Sequence, residues 1–301
     1  MGALDGRVAI VTGAGRGLGR AHALLLAEEG AKVVVNDLGG TFDGLGSDTR
    51  PAKKVVDEIL AGGGEAVANY DDVSEWKGGR RIVQTALDAF GALHVLVNNA
   101  GIARSAFKRY LIDIAEDDWD SMIDVHLKGH FVVLHHAGEY WRARSEAGED
   151  VRASVINTSS PSGFVKASEA SAPTQAHYCV AKAGILALTS CAATELRPYG
   201  VRVNAIAPGA RTRLTERSMP DVVAAPDEPG AFDKFDPANV SPMVAWLATE
   251  GCPVTGRVFK VFGSTIEPYE GWSPTGMIDK PSRWTVEELD IELKRLAPAG
   301  S

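Results

Sequence analysis

Cysteine is scarce in this sequence. Cys179, Cys191 and Cys252 are the three in 301 residues, and they lie far apart. That number and spacing exclude a disulfide framework and make no metal pattern, so no metal ion is expected. Basic charge is short as well. Lys and Arg number 31 against 39 Asp and Glu, the net charge is -8, and no basic run could follow a phosphate backbone. No nucleic acid is therefore expected as a partner. No apolar stretch approaches the ~20 residues of a membrane span, so no membrane partner is expected either. The opening MGALDGRVAIVTGAG runs straight into a strand-like segment without a signal-peptide layout. Gly2 lacks the serine or threonine spacing of a myristoylation site. A cytoplasmic, reduced protein is the expectation, and in that setting the sequons at Asn157 and Asn239 carry little meaning.

What is present is an alternation. With 45% apolar and 23% charged residues, the chain is long enough to bury a substantial core. Near-continuous apolar runs fall at 7–12, 32–36, 66–70, 94–99, 153–159 and 202–207, with one more at 254–263. Such runs suit a parallel sheet covered on both faces. Helical stretches separate them at 17–29, 50–62, 75–90, 116–140 and 176–197. The βαβ alternation predicts an α/β, Rossmann-type, doubly wound parallel sheet. We read 1–265 as one domain and 266–301 as a C-terminal extension of it. The Pro- and Gly-rich stretch at 213–240 is read as a lid. Thr285 and Glu288 stand at capping-box spacing ahead of a short C-terminal helix.

The first predicted strand leads into TGAGRGLGR. Gly13, Gly17 and Gly19 fall where a strand must turn into a helix, so backbone N–H groups can approach a pyrophosphate there. Asp37 ends the second strand, eighteen residues after Gly19. A carboxylate in that place accepts the adenosine ribose hydroxyls and repels a 2′-phosphate, which favours NAD over NADP. Arg16, inside the glycine loop, favours NADP more weakly.

In HYCVAKAGILALTS, Tyr178 and Lys182 are four residues apart, one helical turn. A phenol of pKa about 10 is a poor base at neutral pH. A neighbouring ammonium is expected to pull that value down and to let Tyr178 act as acid and base. NTSSPSG ends another strand, where a serine can hold the oxygen of a reacting group. Either Ser159 or Ser160 suits that task.

TGAGRGLG, NNAG at 98–101, the serine pair, YCVAK and APG at 207–209 occur in one order. As a set they resemble the short-chain dehydrogenase/reductase family, over about residues 5–265. The resemblance implies a seven-stranded Rossmann sheet and NAD(P)-linked hydride transfer at a hydroxyl or keto carbon. It implies Tyr178 as acid/base, Lys182 as its partner, and Ser160 as holder of the substrate oxygen. For the cofactor it implies Gly13, Arg16, Gly17, Leu18 and Gly19. It further implies Asp37, Asp72 and Val73 at the adenosine end, and Asn99, Ala100 and Gly101 beside the central strand. Tyr178 and Lys182 serve the ribose, and Pro208, Gly209 and Thr212 the nicotinamide.

VVVNDLGG, GGEAVANYD and VHLKGHF are similar to the (3R)-hydroxyacyl-CoA dehydrogenase domain of peroxisomal multifunctional enzymes. They are also similar to bacterial relatives acting on acyl-CoA or steroid intermediates. This implies NAD-dependent interconversion of a 3-hydroxyacyl-CoA, or a hydroxysteroid, and its keto form. The alternative is an NADPH-dependent 3-oxoacyl-carrier-protein reductase. An idle NAD-binding scaffold would not need Ser160, Tyr178 and Lys182.

The family's helix carries an asparagine where this chain has His126. An imidazole of pKa near 6.5 can relay protons in its place, or simply pack in the core with Met122, Ile123 and Leu127. Ser160 and Tyr178 are eighteen residues apart, further than in the family, which enlarges the loop at 164–175. Arg104, Lys108 and Arg109 either meet coenzyme A phosphates or form a solvated loop. Helices 116–140 and 176–197 resemble those that build homotetramers, or homodimers, in this family.

Overall fold

The computed structural model describes residues 2–41, 43–103, 110–164, 173–218, 220–226, 228, 230–271, 273–274 and 276–296. Its centre is a sheet in the order β3-β2-β1-β4-β5-β6-β7-β8. The strands are β1 Val8–Thr12, β2 Lys32–Asn36, β3 Glu65–Asn69, β4 Val95–Asn98, β5 Ala153–Thr158, β6 Val201–Gly209, β7 Val258–Phe262 and β8 Thr265–Tyr269. The first seven run parallel, and β8 returns antiparallel along β7. The sequence predicts seven strands. The eighth escapes that reading because its apolar content is thin and Pro268 interrupts it; an edge strand tolerates both.

Alternate residues of each inner strand feed two cores. Ala9 and Val11 of β1 join one face with helices α1 (Gly17–Glu28), α2 (Arg50–Ala61) and α9 (Ser241–Ala248). Val8 and Ile10 join the other with α3 (Trp76–Phe90), α5 (Gly129–Glu146) and α6 (Ala176–Glu195). Between α4 (Glu116–Met122) and α5 the chain makes a π-helical turn at Ile123–Lys128. Helix α6 is long and apolar enough to cross a membrane by length and hydropathy, which the apolar runs of the sequence do not suggest. Here that helix packs against β6, and Ala181, Lys182 and Ile185 are among its buried residues.

The expected lid at 213–240 begins with two short helices, α7 (Arg213–Ser218) and α8 (Pro220–Val223). Arg211 tethers it from both sides, donating to the Val223 carbonyl at 3.0 Å and pairing with Asp233. Residues 270–301 form a separate compact unit, parting from the rest at Tyr269. In it, α10 (Val286–Leu296) starts on the expected capping box. Thr285 N–H donates to Glu288 Oε2 at 2.7 Å, and Glu288 N–H to Thr285 Oγ1 at 3.2 Å.

Candidate active site

The strand order reverses between β1 and β4, and parallel sheets open a crevice at the carboxyl ends beside such a point. A cavity of about 270 Å³ lies there, walled by the segments that leave β1 to β6. From the first turn come Gly13, Arg16, Gly17, Leu18 and Gly19; from the ends of β2 and β3 come Asp37, Asp72 and Val73. Asn99, Ala100 and Gly101 come after β4, Ser160 after β5, and Pro208 and Thr212 close the β6 side. His126, Tyr178 and Lys182 complete the wall from the helices. Gly209 is the expected residue the cavity does not take in. It pairs with Phe262 of β7, and a Cβ there would stand 2.9 Å from that ring. Arg104, Lys108, Arg109 and most of the 164–175 loop lie outside the described residues.

The glycine turn is held by close backbone approach and by the side chains of Thr12 and Asn99. Gly13 has a positive φ of 63°, and a Cβ on it would meet Ala100 Cα at 2.8 Å. The Thr12 hydroxyl accepts the N–H groups of Asn99 and Ala100 at 2.9 and 3.1 Å. In return, the Asn99 side-chain amide donates to the carbonyls of Thr12 and Gly13 at 3.0 and 3.2 Å. The ends of β1 and β4 are thereby locked together beside the cavity. Asp37 is fixed similarly: Oδ2 accepts from Gly15 N–H and Oδ1 from Gly39 N–H, both at 2.7 Å.

Tyr178 is half-buried in the cavity wall, and desolvation raises its phenol above the usual value, while a hydrogen bond with the Ser160 side chain draws it down. This picks Ser160 over Ser159, whose hydroxyl donates to the Lys182 carbonyl at 2.8 Å and is turned inward. Lys182 Nζ donates to the Thr158 carbonyl at 2.8 Å and lies 5.6 Å from the Tyr178 ring centre. Burial pushes its ammonium down to about 7. The expectation that a full positive charge at Lys182 lowers the phenol is thus corrected in this cavity. Burial works against the ammonium form near neutral pH.

His126 sits on the π-helical turn, its ring edge-on to Tyr178 with centroids 5.4 Å apart. Its Nε2 is 3.1 Å from the Ile102 N–H and 2.8 Å from the Ile102 carbonyl oxygen, and Nδ1 is buried without a partner. Gly101 makes room for it, since a Cβ there would meet Cε1 at 2.6 Å. Burial and then the charge of Lys182 hold the imidazole well below 6.5. The pKa near 6.5 expected for a relay does not hold, and this ring is neutral at neutral pH.

Several wall residues escape the sequence reading. Leu38, Gly40, Thr41 and Gly44 come after Asp37, and the glycine-rich run NDLGGTFDGLG is a visible signal for them. Arg213 gives no such signal, because α7 brings it near Arg16 and Asp37 from far along the chain. Burial lowers its pKa, the charge of Arg16 lowers it further, and Asp37 opposes this.

Comparison with known proteins agrees with this geometry. The sequence profile described as short chain dehydrogenase matches residues 7–221. Peroxisomal multifunctional enzyme type 2 of Drosophila melanogaster is 42% identical over 269 residues, which cover 89% of this chain and 40% of that protein. The chain therefore spans well under half of that relative. A hydroxyacyl-CoA dehydrogenase of Mycobacterium tuberculosis is 43% identical, with 87% of this chain and 79% of that one covered. A short chain dehydrogenase from Mycobacterium avium, solved by crystallography, is 48% identical at a TM-score of 0.84, covering 98% and 96% of the two chains.

Proposed function

The chain belongs to the short-chain dehydrogenase family, and from that premise we propose that it oxidises a 3-hydroxyacyl-CoA thioester, or a hydroxysteroid, to the keto form with NAD. Oxidoreduction at a CH–OH group with a nicotinamide cofactor is the chemistry of the family. The observation that carries the finer reading is one cavity holding Asp37 at one end and Ser160, Tyr178 and Lys182 at the other. The names carried by the relatives support an acyl-CoA substrate.

The residues present fit a dinucleotide. Gly13 and Gly19 pack without side chains against Ala100, Asn99 and each other, which keeps the backbone of the turn at the cavity wall. Each Asp37 oxygen accepts one backbone N–H and keeps a lone pair for a ribose hydroxyl. When bound, the nicotinamide supplies the carbon that accepts hydride. Ser160 holds the substrate hydroxyl, and Tyr178 takes its proton as the carbonyl forms. Lys182, anchored on Thr158, places its ammonium near the phenol, where it favours the phenolate whenever it is charged. His126, neutral and with Nδ1 free, is suited to passing a proton by hydrogen bonding rather than by storing charge. Phe131 on α5 and Val180 on α6 are large apolar side chains left about half exposed, which supports subunit contacts through those helices.

Arg16 and Arg213 favour a second reading. Two guanidinium groups beside Asp37 could hold a 2′-phosphate, as a reductase using NADPH would require. Nicotinamide absorbance decides between the two, with NAD or NADP and a panel of (R)-3-hydroxyacyl-CoA thioesters and hydroxysteroids. NAD reduction by a thioester is the expected result. Tyr178→Phe should lower kcat by roughly 10²–10⁴-fold with NAD affinity retained. Unchanged turnover in that variant sinks the mechanism, and turnover only with NADPH in the reducing direction transfers the assignment to the reductase.

A further inference from the structure

Helix α5 carries a second group of chemistry-bearing side chains, none of which lines the cofactor cavity: His135, His136 and Glu139. Positions 135, 136 and 139 bring the carboxylate between the two imidazoles on one helix surface. His136 Nδ1 lies 3.0 Å from Glu139 Oε2, and His135 Nε2 lies 3.5 Å from Glu139 Oε1. The ligand atoms of all three fall within 4.8 Å of one another. A sequence search built on cysteine patterns does not reach this group.

The bonding of His136 suits a cation. Its Nε2 is 3.1 Å from the Trp76 carbonyl oxygen, which can only accept, so Nε2 is the donor there. Nδ1 faces a carboxylate oxygen at 3.0 Å, and that contact is closed either by a second ring proton or by a metal ion bound to both atoms. Metal-bound histidines are held in this way, with the other ring nitrogen donating to a backbone carbonyl. Zinc bonds of ~2.0–2.2 Å place tetrahedral ligands about 3.3 Å apart, close to the 3.0 and 3.5 Å of the two carboxylate contacts, while the imidazole nitrogens, within 4.8 Å of each other, would draw together on the ion. Two imidazoles and one carboxylate suit zinc better than calcium or magnesium, which prefer all-oxygen sites.

We propose that His135, His136 and Glu139 bind Zn²⁺, with the remaining position open to water. The Trp76 ring lies against both imidazoles, with centroids 4.6 and 4.8 Å away. Because Trp76 opens α3, occupancy of the site bears on the contact between α3 and α5.

The test is metal binding to the full chain after chelator treatment, with Zn²⁺ by calorimetry and Co²⁺ by its visible absorption. One equivalent of Zn²⁺ per chain is expected, together with a tetrahedral Co²⁺ band and quenching of emission that Trp76→Phe removes. His135→Ala, His136→Ala and Glu139→Gln should each weaken binding at least tenfold. His135→Ala and Glu139→Gln alter partly exposed side chains, so a folded variant is available whatever His136→Ala does, and their dehydrogenase turnover should be unchanged. Failure of the wild-type chain to take up either metal overturns the proposal, because the group is then a bare imidazolium–carboxylate pair. Binding of equal strength in wild type and all three variants overturns it too, since the metal then sits elsewhere.

Discussion

Lys182 is held in the protein at a cost, and that cost can be measured. Its ordinary pKa of 10.5 falls to about 7 on burial, so the unfolded chain binds a proton that the native chain partly rejects. Between pH 7 and 10.5 the unfolded state holds more protons, so stability rises with pH across that window. A shift of this size amounts to roughly 4 kcal/mol at pH 7. Lys182→Met removes the penalty but leaves the Thr158 carbonyl without its donor, which costs back ~1–3 kcal/mol. The variant should therefore be inactive yet melt several degrees higher than wild type at pH 7, with the gap closing by pH 10. Thermal unfolding of both proteins at pH 7, 8.5 and 10 checks this, and a gap independent of pH refutes it. At this scale the sequence is informative about partners and silent about environment. Tyr178 and Lys182 are legible because helical spacing alone makes them neighbours. Ser160 cannot be separated there from Ser159, because the choice depends on how the chain leaves β5. The direction of the Tyr178 shift depends on burial, which no motif encodes.

Most strands and helices fall within a residue or two of where apolar runs and glycine punctuation place them, and the reasons are local. The misses arise where tertiary contacts decide. The predicted helix 116–140 is broken by the π-helical turn at Ile123–Lys128, which presents His126 to the cavity. A π turn inserts no residue type that periodicity could flag. Another contact invisible to pattern is the crossing of α3 on α5. Gly79, inside α3, lies so close to α5 that a Cβ would stand 2.5 Å from Val132 Cγ1 and 3.3 Å from the Val132 backbone. Glycine within a helix normally forfeits up to ~1 kcal/mol relative to alanine. Here Gly79→Ala should instead destabilise by roughly 1–2 kcal/mol, the overpacking cost exceeding the propensity gain. Val132→Ala opens space at the same spot, so the double variant should be more stable than the sum of the two single effects predicts. Urea midpoints of the four proteins form the cycle; additivity within ~0.3 kcal/mol refutes the contact.

Across the whole molecule, both faces of the sheet bury uncharged histidine. His22 of α1 is fully buried on the α9 side, bonded to Ser241 at 2.8 Å, and burial pushes it down to about 3. His130 of α5, on the opposite face, is pushed to about 3 by burial and then by the charge of Lys182. His126 and His94 are lowered as well, burial being the largest cause in each. The α/β alternation makes the layers legible, yet it does not show which histidines the layers enclose. The sign of the consequence depends on which state binds protons. These native pKa values lie below 6.5, so the unfolded chain takes up protons first and stability falls as pH drops from about 6.5 toward 3. His22 and His130 each contribute up to ~1.4 kcal/mol per pH unit over most of that window. The two lie on opposite sides of the sheet and share no partner, so their effects should add. Urea unfolding at pH 7, 6 and 5 should therefore show a steep loss of stability. His22→Gln should make that loss shallower by roughly 1 kcal/mol per pH unit, whatever it does to stability at pH 7. An unchanged slope in the variant would mean that His22 is already protonated in the native protein and that its burial is not as tight as the structure places it.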